Sequence, residues 1–153
     1  MSTTAAISST SQTSIRPAHR GDAESVFALL KQVAASYAPD RAAFDETFEL
    51  FLDDDPGTLL LVAEDTEGLV RGYALTTINR LLHTNGRSAH LQELVVDHSA
   101  QGSGIGTLLI ETLEQACHDR DVKQLTVPSR GSADFYERLG YRSTADFLKR
   151  TFD

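Results

Sequence analysis

The chain has no tryptophan, one methionine and one cysteine, Cys117, among its 153 residues. A single cysteine excludes a disulfide within the chain and favours the reducing cytoplasm. No stretch approaches the ~18 consecutive apolar residues of a membrane-spanning helix. The first residues have neither a basic start nor an apolar segment, so no signal peptide is predicted. We therefore expect a cytoplasmic protein without a membrane partner.

Positive charge is also scarce, since 14 Lys and Arg stand against 22 Asp and Glu and the net charge is −8. This balance argues against nucleic acid as the main partner. The five histidines and the lone cysteine show no metal-site spacing, and no metal is expected. Seven acidic residues fall between positions 40 and 55. They form either a solvated helix face or a negative rim that attracts a cationic amine.

The length of the chain favours one domain, which we place at residues 13–153. Hydrophobic residues make up 41% of the sequence, enough for one packed core. Residues 1–12 are rich in Ser and Thr and are predicted to be a disordered tail. Cys117 lies on the apolar face of a predicted helix, which favours a buried structural thiol over a nucleophile.

Apolar periodicity and turn residues predict the element order β-α-α-β-β-β-α-β-α-β. Short turns make the second, third and fourth strands antiparallel, and a helical crossover then makes the fifth strand parallel to the fourth. The fold class is therefore α/β, a mixed sheet with helices on both faces. The predicted strands are 15–17, 58–64, 69–78, 90–96, 122–127 and a closing strand 144–152, and the predicted helices are 23–33, 44–52, 105–117 and 132–139.

A glycine-rich turn, Gln101-Gly-Ser-Gly-Ile-Gly106, lies between the predicted strand 90–96 and the next helix. Glycines allow positive φ and close backbone approach, and the first turn of a helix presents free N–H groups. This arrangement is typical of an anion site and predicts a ligand that carries phosphate. A P-loop would need a Lys after the glycines, and a dinucleotide fingerprint a different glycine spacing. A tight turn without a ligand is the alternative.

A second motif, Ala133-Asp-Phe-Tyr-Glu-Arg-Leu-Gly-Tyr141, follows the predicted strand 122–127. It matches A-x-x-F/L-Y-E-x-L-G-F/Y, and Gln101, Gly104 and Gly106 match Q/R-x-x-G-x-G/A. One helix and one strand separate the two motifs. With this order and spacing, the chain resembles the GNAT superfamily of N-acetyltransferases from about residue 15 to residue 152.

The resemblance implies the GNAT acyl-CoA N-acyltransferase fold with acetyl-CoA as cosubstrate. It assigns the pyrophosphate to the N–H groups of the glycine loop. It assigns the pantetheine arm to the backbone of the preceding strand, where a free N–H could polarise the thioester carbonyl. Arg130 replaces an Asn that contacts pantetheine in many members, and it could reach a phosphate or be solvated. The cofactor-binding residues expected in this way are Leu94, Val95, Val96, Gln101, Gly102, Ser103, Gly104, Ile105, Gly106, Thr107 and Arg130.

Two side chains are candidates for proton transfer. Tyr136 matches the family tyrosine whose hydroxyl lies near the cofactor sulfur, and a phenol with a pKa of about 10 can protonate a departing thiolate. Packing alone is the alternative role for Tyr136. Glu93 is the candidate base, although the usual glutamate could correspond to Gln92, and one residue changes the face of a strand. A water relay or a solvent-exposed amine would replace Glu93.

The predicted activity is acetyl transfer to a primary amine by direct attack in a ternary complex, because no cysteine is suitably placed for an acyl-enzyme. The acceptor is expected to be a small-molecule or peptide amine. A non-catalytic acyl-CoA-binding sensor of the same fold is the alternative. Dimers are frequent in the family, so a homodimer is open. The residues expected near the acceptor are Tyr37, Phe44, Phe48, Arg80 and His83.

Overall fold

The computed structural model of the protein describes residues 13–35, 37–53 and 55–152. The predicted disordered tail, residues 1–12, lies outside these ranges. Within them, no helix combines the length and the apolar character that crossing a bilayer requires.

The described residues contain five strands, which form one mixed sheet. They are β1 (Ser14–Pro17), β2 (Thr58–Glu64), β3 (Val70–Leu81), β4 (Gly86–Val96) and β5 (Val122–Thr126). Their order in the sheet is the same as their order in the sequence. Neighbouring strands are antiparallel from β1 to β4, and β4 and β5 are parallel. Short connections join β2 to β3 and β3 to β4, whereas a helical crossover joins β4 to its parallel neighbour β5.

Four α-helices of the described residues pack on this sheet. They are α1 (Ala23–Val33), α2 (Arg41–Leu52), α3 (Ile105–Asp119) and α4 (Ala133–Arg138). Pro39 and Asp40 separate the first two helices, and the Asp40 carboxylate caps α2 by accepting a hydrogen bond from Ala43 N at 2.8 Å. Four antiparallel strands and a parallel crossover unit thus build the α/β fold class predicted from the sequence.

Two apolar clusters hold the layers together, one on each face of the sheet, because successive strand residues point to opposite faces. Cys117 is buried in the α3 cluster, as the sequence predicts, and burial raises the pKa of its thiol. The α3 cluster contains Leu61, Ala63, Ala74, Ile78, Ala89, Leu91, Ile105, Leu109, Ile110, Leu113, Cys117 and Tyr136. The α1/α2 cluster contains Val26, Leu29, Phe48, Leu60, Val62, Tyr73, Leu75 and Val95.

One buried polar group lies in this core without a partner. The Thr76 side chain is fully buried, and its hydroxyl has no hydrogen-bond partner in the described part of the chain. Thr76→Val keeps the shape and removes the hydroxyl, so we expect the free energy of unfolding to rise by about 1 kcal/mol. Thermal unfolding followed by circular dichroism should show a Tm higher by about 3 °C.

Thr77→Val is the matched control for this substitution. The Thr77 hydroxyl accepts a hydrogen bond from Gln92 Nε2 at 3.0 Å, so its removal leaves Gln92 unpaired and should not stabilise the protein. A Tm for Thr76→Val at or below that of the wild type would contradict the expectation.

The predicted closing strand over residues 144–152 is wrong. Within the described residues, the chain after α4 has no regular secondary structure. Phe147, Leu148 and Phe152 in this segment are mostly exposed. Apolar alternation predicts an extended segment, but a strand also needs a neighbouring edge for its backbone hydrogen bonds. In the described sheet, β5 is paired on its β4 side alone.

Candidate active site

The two parallel strands of the sheet separate halfway along β4. β4 pairs with β5 up to His90, which lies opposite Thr126. From Leu91 to Val96, the described residues pair β4 with β3 only. This half of β4 therefore has an open backbone edge, to which an extended ligand can add as a further strand does. The predicted pantetheine-binding residues Leu94, Val95 and Val96 all lie in it.

The glycine loop lies between the end of β4 and the start of α3. Gly102 and Gly104 have φ values of +82° and +90°, a region that glycine enters readily. A Cβ at either position would meet no atom within 4 Å, so the space beside the loop is open. The first intrahelical bond runs from Leu108 N to Gly104 O at 3.0 Å. The amides of Ile105, Gly106 and Thr107 precede it and can bind an anion.

Asp97 holds the end of β4 just before this loop. Its carboxylate accepts hydrogen bonds from Gln32 Nε2 at 3.0 Å, Ser99 Oγ at 2.9 Å and Arg71 Nη1 at 3.1 Å. These bonds, that of Gln32 first, lower the pKa of Asp97 to about 2. The stability they contribute is therefore present above the ordinary aspartate pKa and is lost only as the pH falls towards 2.

A β-bulge in β4 changes the pairing next to the open edge. Leu75 on β3 lies opposite Glu93, whereas the next residue, Thr76, lies opposite Leu91. Gln92 is therefore the extra residue of the bulge. A bulge re-aims the side chains beside it, so strict alternation does not hold at this point of the strand.

Hydrogen bonds show where the bulge directs Gln92 and Glu93. Gln92 Nε2 donates to the Thr77 hydroxyl at 3.0 Å, and the Tyr73 hydroxyl donates to Glu93 Oε1 at 2.7 Å. Tyr73 and Thr77 belong to one regularly paired stretch of β3 and share its α1/α2 face. Both Gln92 and Glu93 therefore lie on the α1/α2 face of the sheet. A base at either position would lie on this same face.

Tyr73 acts as a fixed donor to this carboxylate. It is almost fully buried, and burial, together with the charge of Glu93, raises the pKa of Tyr73 well above its usual range. The phenol thus stays protonated and occupies Oε1 of Glu93. Glu93 itself is exposed, although it lies in the middle of a sheet strand.

A cavity of about 250 Å³ lies between the sheet and the two helices α1 and α2. Glu93 lines it together with residues of α1, α2, β2 and β3. The candidate acceptor residues Tyr37, Phe44 and Phe48 line it as well, whereas Arg80 and His83 are not among its lining residues. The full lining is Val26, Leu30, Tyr37, Pro39, Asp40, Ala43, Phe44, Thr47, Phe48, Phe51, Leu60, Tyr73, Leu75 and Glu93.

Tyr136 lies on the opposite face of the sheet, in the α3 cluster. Its ring packs edge-on against Phe135, with centroids 5.0 Å apart, and against Tyr141 at 5.9 Å. Phe135 in turn lies beside Gly106, where a Cβ would be 3.4 Å from its ring. Burial raises the pKa of Tyr136, and the charge of Arg130 offsets part of this. The phenol is therefore protonated at neutral pH and is held near the glycine loop by its neighbours.

Arg130 follows β5 and has a positive φ of 47°. Its guanidinium lies over the Phe147 ring at 5.5 Å, and that ring stacks on His90 with centroids 6.1 Å apart. His90 Nδ1 is 2.7 Å from Thr126 Oγ1, at the point where the strands separate. Burial lowers the pKa of His90, with a smaller effect of Arg130, so this imidazole is neutral at pH 7. A contact of Arg130 with a cofactor stays a prediction.

Much of the acidic segment 40–55 has local partners. Arg41 Nε binds Asp45 at 2.8 Å, and Arg20 Nη2 binds Glu49 at 2.7 Å. Asp55 accepts hydrogen bonds in the turn before β2, from Gly57 N at 2.9 Å and the Thr58 hydroxyl at 3.0 Å. These contacts favour the interpretation of a solvated, internally paired surface over that of a substrate-attracting rim.

Sequence analysis did not identify Tyr73, the hydrogen-bond donor to Glu93. A single tyrosine within the apolar run of β3 was the available signal for Tyr73. No sequence signal identified its partner, because the hydrogen bond joins residues 20 positions apart on neighbouring strands.

The chain is similar to known proteins in both sequence and structure. Residues 24–150 match the family described as acetyltransferase (GNAT) domain. Glucosamine 6-phosphate N-acetyltransferase 1 of Oryza sativa subsp. japonica is 28% identical over 131 residues, which are 83% of this chain and 79% of that protein. The crystal structure of glucosamine-6-phosphate N-acetyltransferase from Arabidopsis thaliana has a TM-score of 0.80 at 23% identity, over 92% of this chain and 99% of that one. A transcriptional regulator from Bacillus halodurans C-125 gives a TM-score of 0.81 at 22% identity, with the same coverage.

The mixed sheet of this chain thus has the fold of the Arabidopsis thaliana structure. The chain belongs to the GNAT acetyltransferase family, and it is an N-acetyltransferase.

Proposed function

We propose that the protein transfers the acetyl group of acetyl-CoA to a primary amine by direct attack in a ternary complex. The observation that carries the proposal is the open half of β4, from Leu91 to Val96. The glycine loop follows this segment, and Glu93 connects it to the cavity under α1 and α2. One strand thus borders both an anion-binding loop and a space for a second substrate.

The residues of this region suit acetyl-CoA, which supplies the acetyl group as an activated thioester. The amides of Ile105, Gly106 and Thr107 would hold phosphate oxygens, with a modest contribution from the dipole of α3. Gln101 contributes no charge, and its side-chain amide hydrogen-bonds Val96 O at 3.4 Å. The backbone from Leu94 to Val96 would pair with the pantetheine arm as an added strand.

Two proton transfers complete the proposed reaction. An amine with a pKa near 10 is charged at neutral pH, and Glu93 takes up the proton that it must lose before the nitrogen can attack. The new N–C bond forms as the C–S bond breaks. Tyr136 Oη gives its proton to the departing sulfur. The proposed acid, Tyr136, and the proposed base, Glu93, lie on opposite faces of the sheet. The opening between β4 and β5 connects these two faces.

Glu93→Gln tests the base. We expect kcat/KM at neutral pH to fall about 100-fold, because a positioned base contributes 10²–10⁴. The loss should shrink as the pH approaches the pKa of the amine, since the acceptor then deprotonates in solution. The measurement is kcat/KM against pH for the variant and the wild type.

Because of the bulge, the carboxylate can be restored at the neighbouring position as a matched test. The double variant Gln92→Glu/Glu93→Gln moves it by one position on the same face, and we expect it to recover part of the rate at neutral pH. A pH profile for Glu93→Gln identical to that of the wild type would exclude Glu93 and favour a water relay.

Release of the CoA thiol from acetyl-CoA, measured against a panel of amines, polyamines, amino acids and short peptides, tests the proposed activity. Amine-dependent release would support it. Cys117 is buried, and a control without acetyl-CoA corrects for its reaction with the thiol reagent. Binding of acetyl-CoA without release, for every amine, would instead support the sensor.

A further inference from the structure

The chemistry of the cavity beside Glu93 restricts the acceptor. We infer that the acceptor is a primary amine joined by a short arm to an aromatic or branched aliphatic body, and not an amino sugar phosphate. This inference rests on the proposed acetyl transfer at Glu93 and specifies its second substrate.

The walls of the cavity are apolar and aromatic. Phe44, Phe48 and Phe51 extend along one face of α2 at helical spacing and line it together. The Phe44 and Phe48 rings stack with centroids 5.3 Å apart and an interplanar angle of 23°. Phe27 packs edge-on against Phe44 at 5.1 Å. Phe27 thus supports the aromatic wall of the cavity. An apolar surface of this kind favours an apolar substrate body over a hydroxylated ring.

The charge at the cavity is negative. Two of its described lining residues carry a carboxylate, and none of them is Lys, Arg or His. Asp40 caps α2, whereas Glu93 uses one oxygen for the Tyr73 hydroxyl and has the other available. An ammonium group is therefore attracted to Glu93.

A phosphate group would find no countercharge in this lining. The residue after Asp40 in the sequence is the cation Arg41, which is not among the lining residues. It is held by Glu24 at 2.7 Å and Asp45 at 2.8 Å, with its guanidinium 5.1 Å from the Phe27 ring centre. Cations are the strong binding partners of phosphate, and the described lining contains no Lys, Arg or His.

The size of the cavity agrees with this class of acceptor. A buried apolar cavity of about 150 Å³ is sufficient for benzene. The volume here is about 250 Å³, which leaves room for a phenyl ring and a two-carbon arm that reaches Glu93. A long peptide would not fit inside this volume.

Steady-state kinetics with three acceptors test the inference: 2-phenylethylamine, ethanolamine and glucosamine 6-phosphate, each with acetyl-CoA. We expect kcat/KM for 2-phenylethylamine to exceed that for ethanolamine by about 30-fold, the factor that burial of an aromatic ring supplies. Glucosamine 6-phosphate should be poorer than 2-phenylethylamine by at least the same factor.

Filling the cavity provides the second readout. Ala43 lines it from an exposed position on α2, and Ala42 is its exposed neighbour outside the lining. Ala43→Phe should raise KM for 2-phenylethylamine about tenfold and leave KM for acetyl-CoA unchanged. Ala42→Phe, the matched control, should change neither value.

Failure of the inference differs from failure of the proposed function. Turnover that is equal for ethanolamine, or faster with glucosamine 6-phosphate, would overturn the apolar acceptor and leave acetyl transfer intact. An equal KM for 2-phenylethylamine in Ala43→Phe and Ala42→Phe would overturn it as well. No turnover with any amine would overturn both.

Discussion

Tyr136→Phe is expected to lower kcat about 100-fold and to leave KM for acetyl-CoA almost unchanged. The departing thiolate needs a proton, and a positioned general acid contributes at least this factor. The Tyr136 hydroxyl makes no side-chain hydrogen bond within the described residues, and a phenylalanine ring keeps the packing against Phe135 and Tyr141. The substitution should therefore affect chemistry and not folding. Thermal unfolding should show a Tm within about 2 °C of the wild type.

The neighbouring tyrosine is the matched control. The Tyr141 hydroxyl donates to Glu114 Oε2 at 2.5 Å. Tyr141→Phe removes this bond, so we expect a lower Tm and an unchanged kcat. A decrease of less than threefold for Tyr136→Phe would exclude the acid role and leave Tyr136 as a packing residue.

The acid role also has a pH signature. Because burial raises the pKa of Tyr136 above the usual value of about 10, the protonated, active form persists through the alkaline range. The wild-type kcat should therefore not decline between pH 8 and pH 10 from loss of this proton. A decline in that range that disappears in Tyr136→Phe would show that its pKa is lower than burial predicts.

Gly104→Val is expected to raise KM for acetyl-CoA tenfold or more, with a smaller change in kcat. The φ of +90° at this position is strained for a β-branched residue. Its Cβ would also enter the open space beside the loop, in front of the amides that we assign to phosphate. Loss of one hydrogen bond to a charged group is enough for a tenfold change. The measurements are KM and the Kd of acetyl-CoA from titration calorimetry.

Gly140→Val separates strain from ligand contact. Gly140 has a φ of +99° and equally open surroundings. It lies near Glu114 and His118, towards the far end of α3, roughly 15–20 Å from Gly104. It should lower the Tm to a similar extent without changing KM for acetyl-CoA. Equal KM values in the two variants would show that Gly104 acts through stability alone.

Local features of the site could be predicted from the sequence. The glycine loop is one, because positive φ at Gly102 and Gly104 and the free amides of a helix start depend on residues within a few positions of each other. The position of Tyr136 on a short helix after β5 is another. The element order up to α4 followed from apolar periodicity, and the boundaries moved by a few residues, as for β4, which begins at Gly86.

Features that depend on strand pairing could not be predicted from the sequence. Whether the base position was Gln92 or Glu93 could not be decided from β4 alone, because the bulge exists only in the pairing with β3. The closing strand failed for the same reason, since residues 144–152 carry an extended pattern but no described strand edge pairs with them. The pairing of a strand depends on its partner strand, so it cannot be predicted from the sequence of one segment alone.

By itself, therefore, the sequence determined the glycine loop, the helices and strands that flank it, and the buried Cys117, because each follows from neighbouring residues. Only the tertiary structure decided that β4 and β5 separate after His90, that Tyr73 holds Glu93, and that three phenylalanines of α2 enclose a cavity beside that carboxylate. These features join residues far apart in the chain. Their energies come from contacts that exist only once the sheet and both helical layers have assembled.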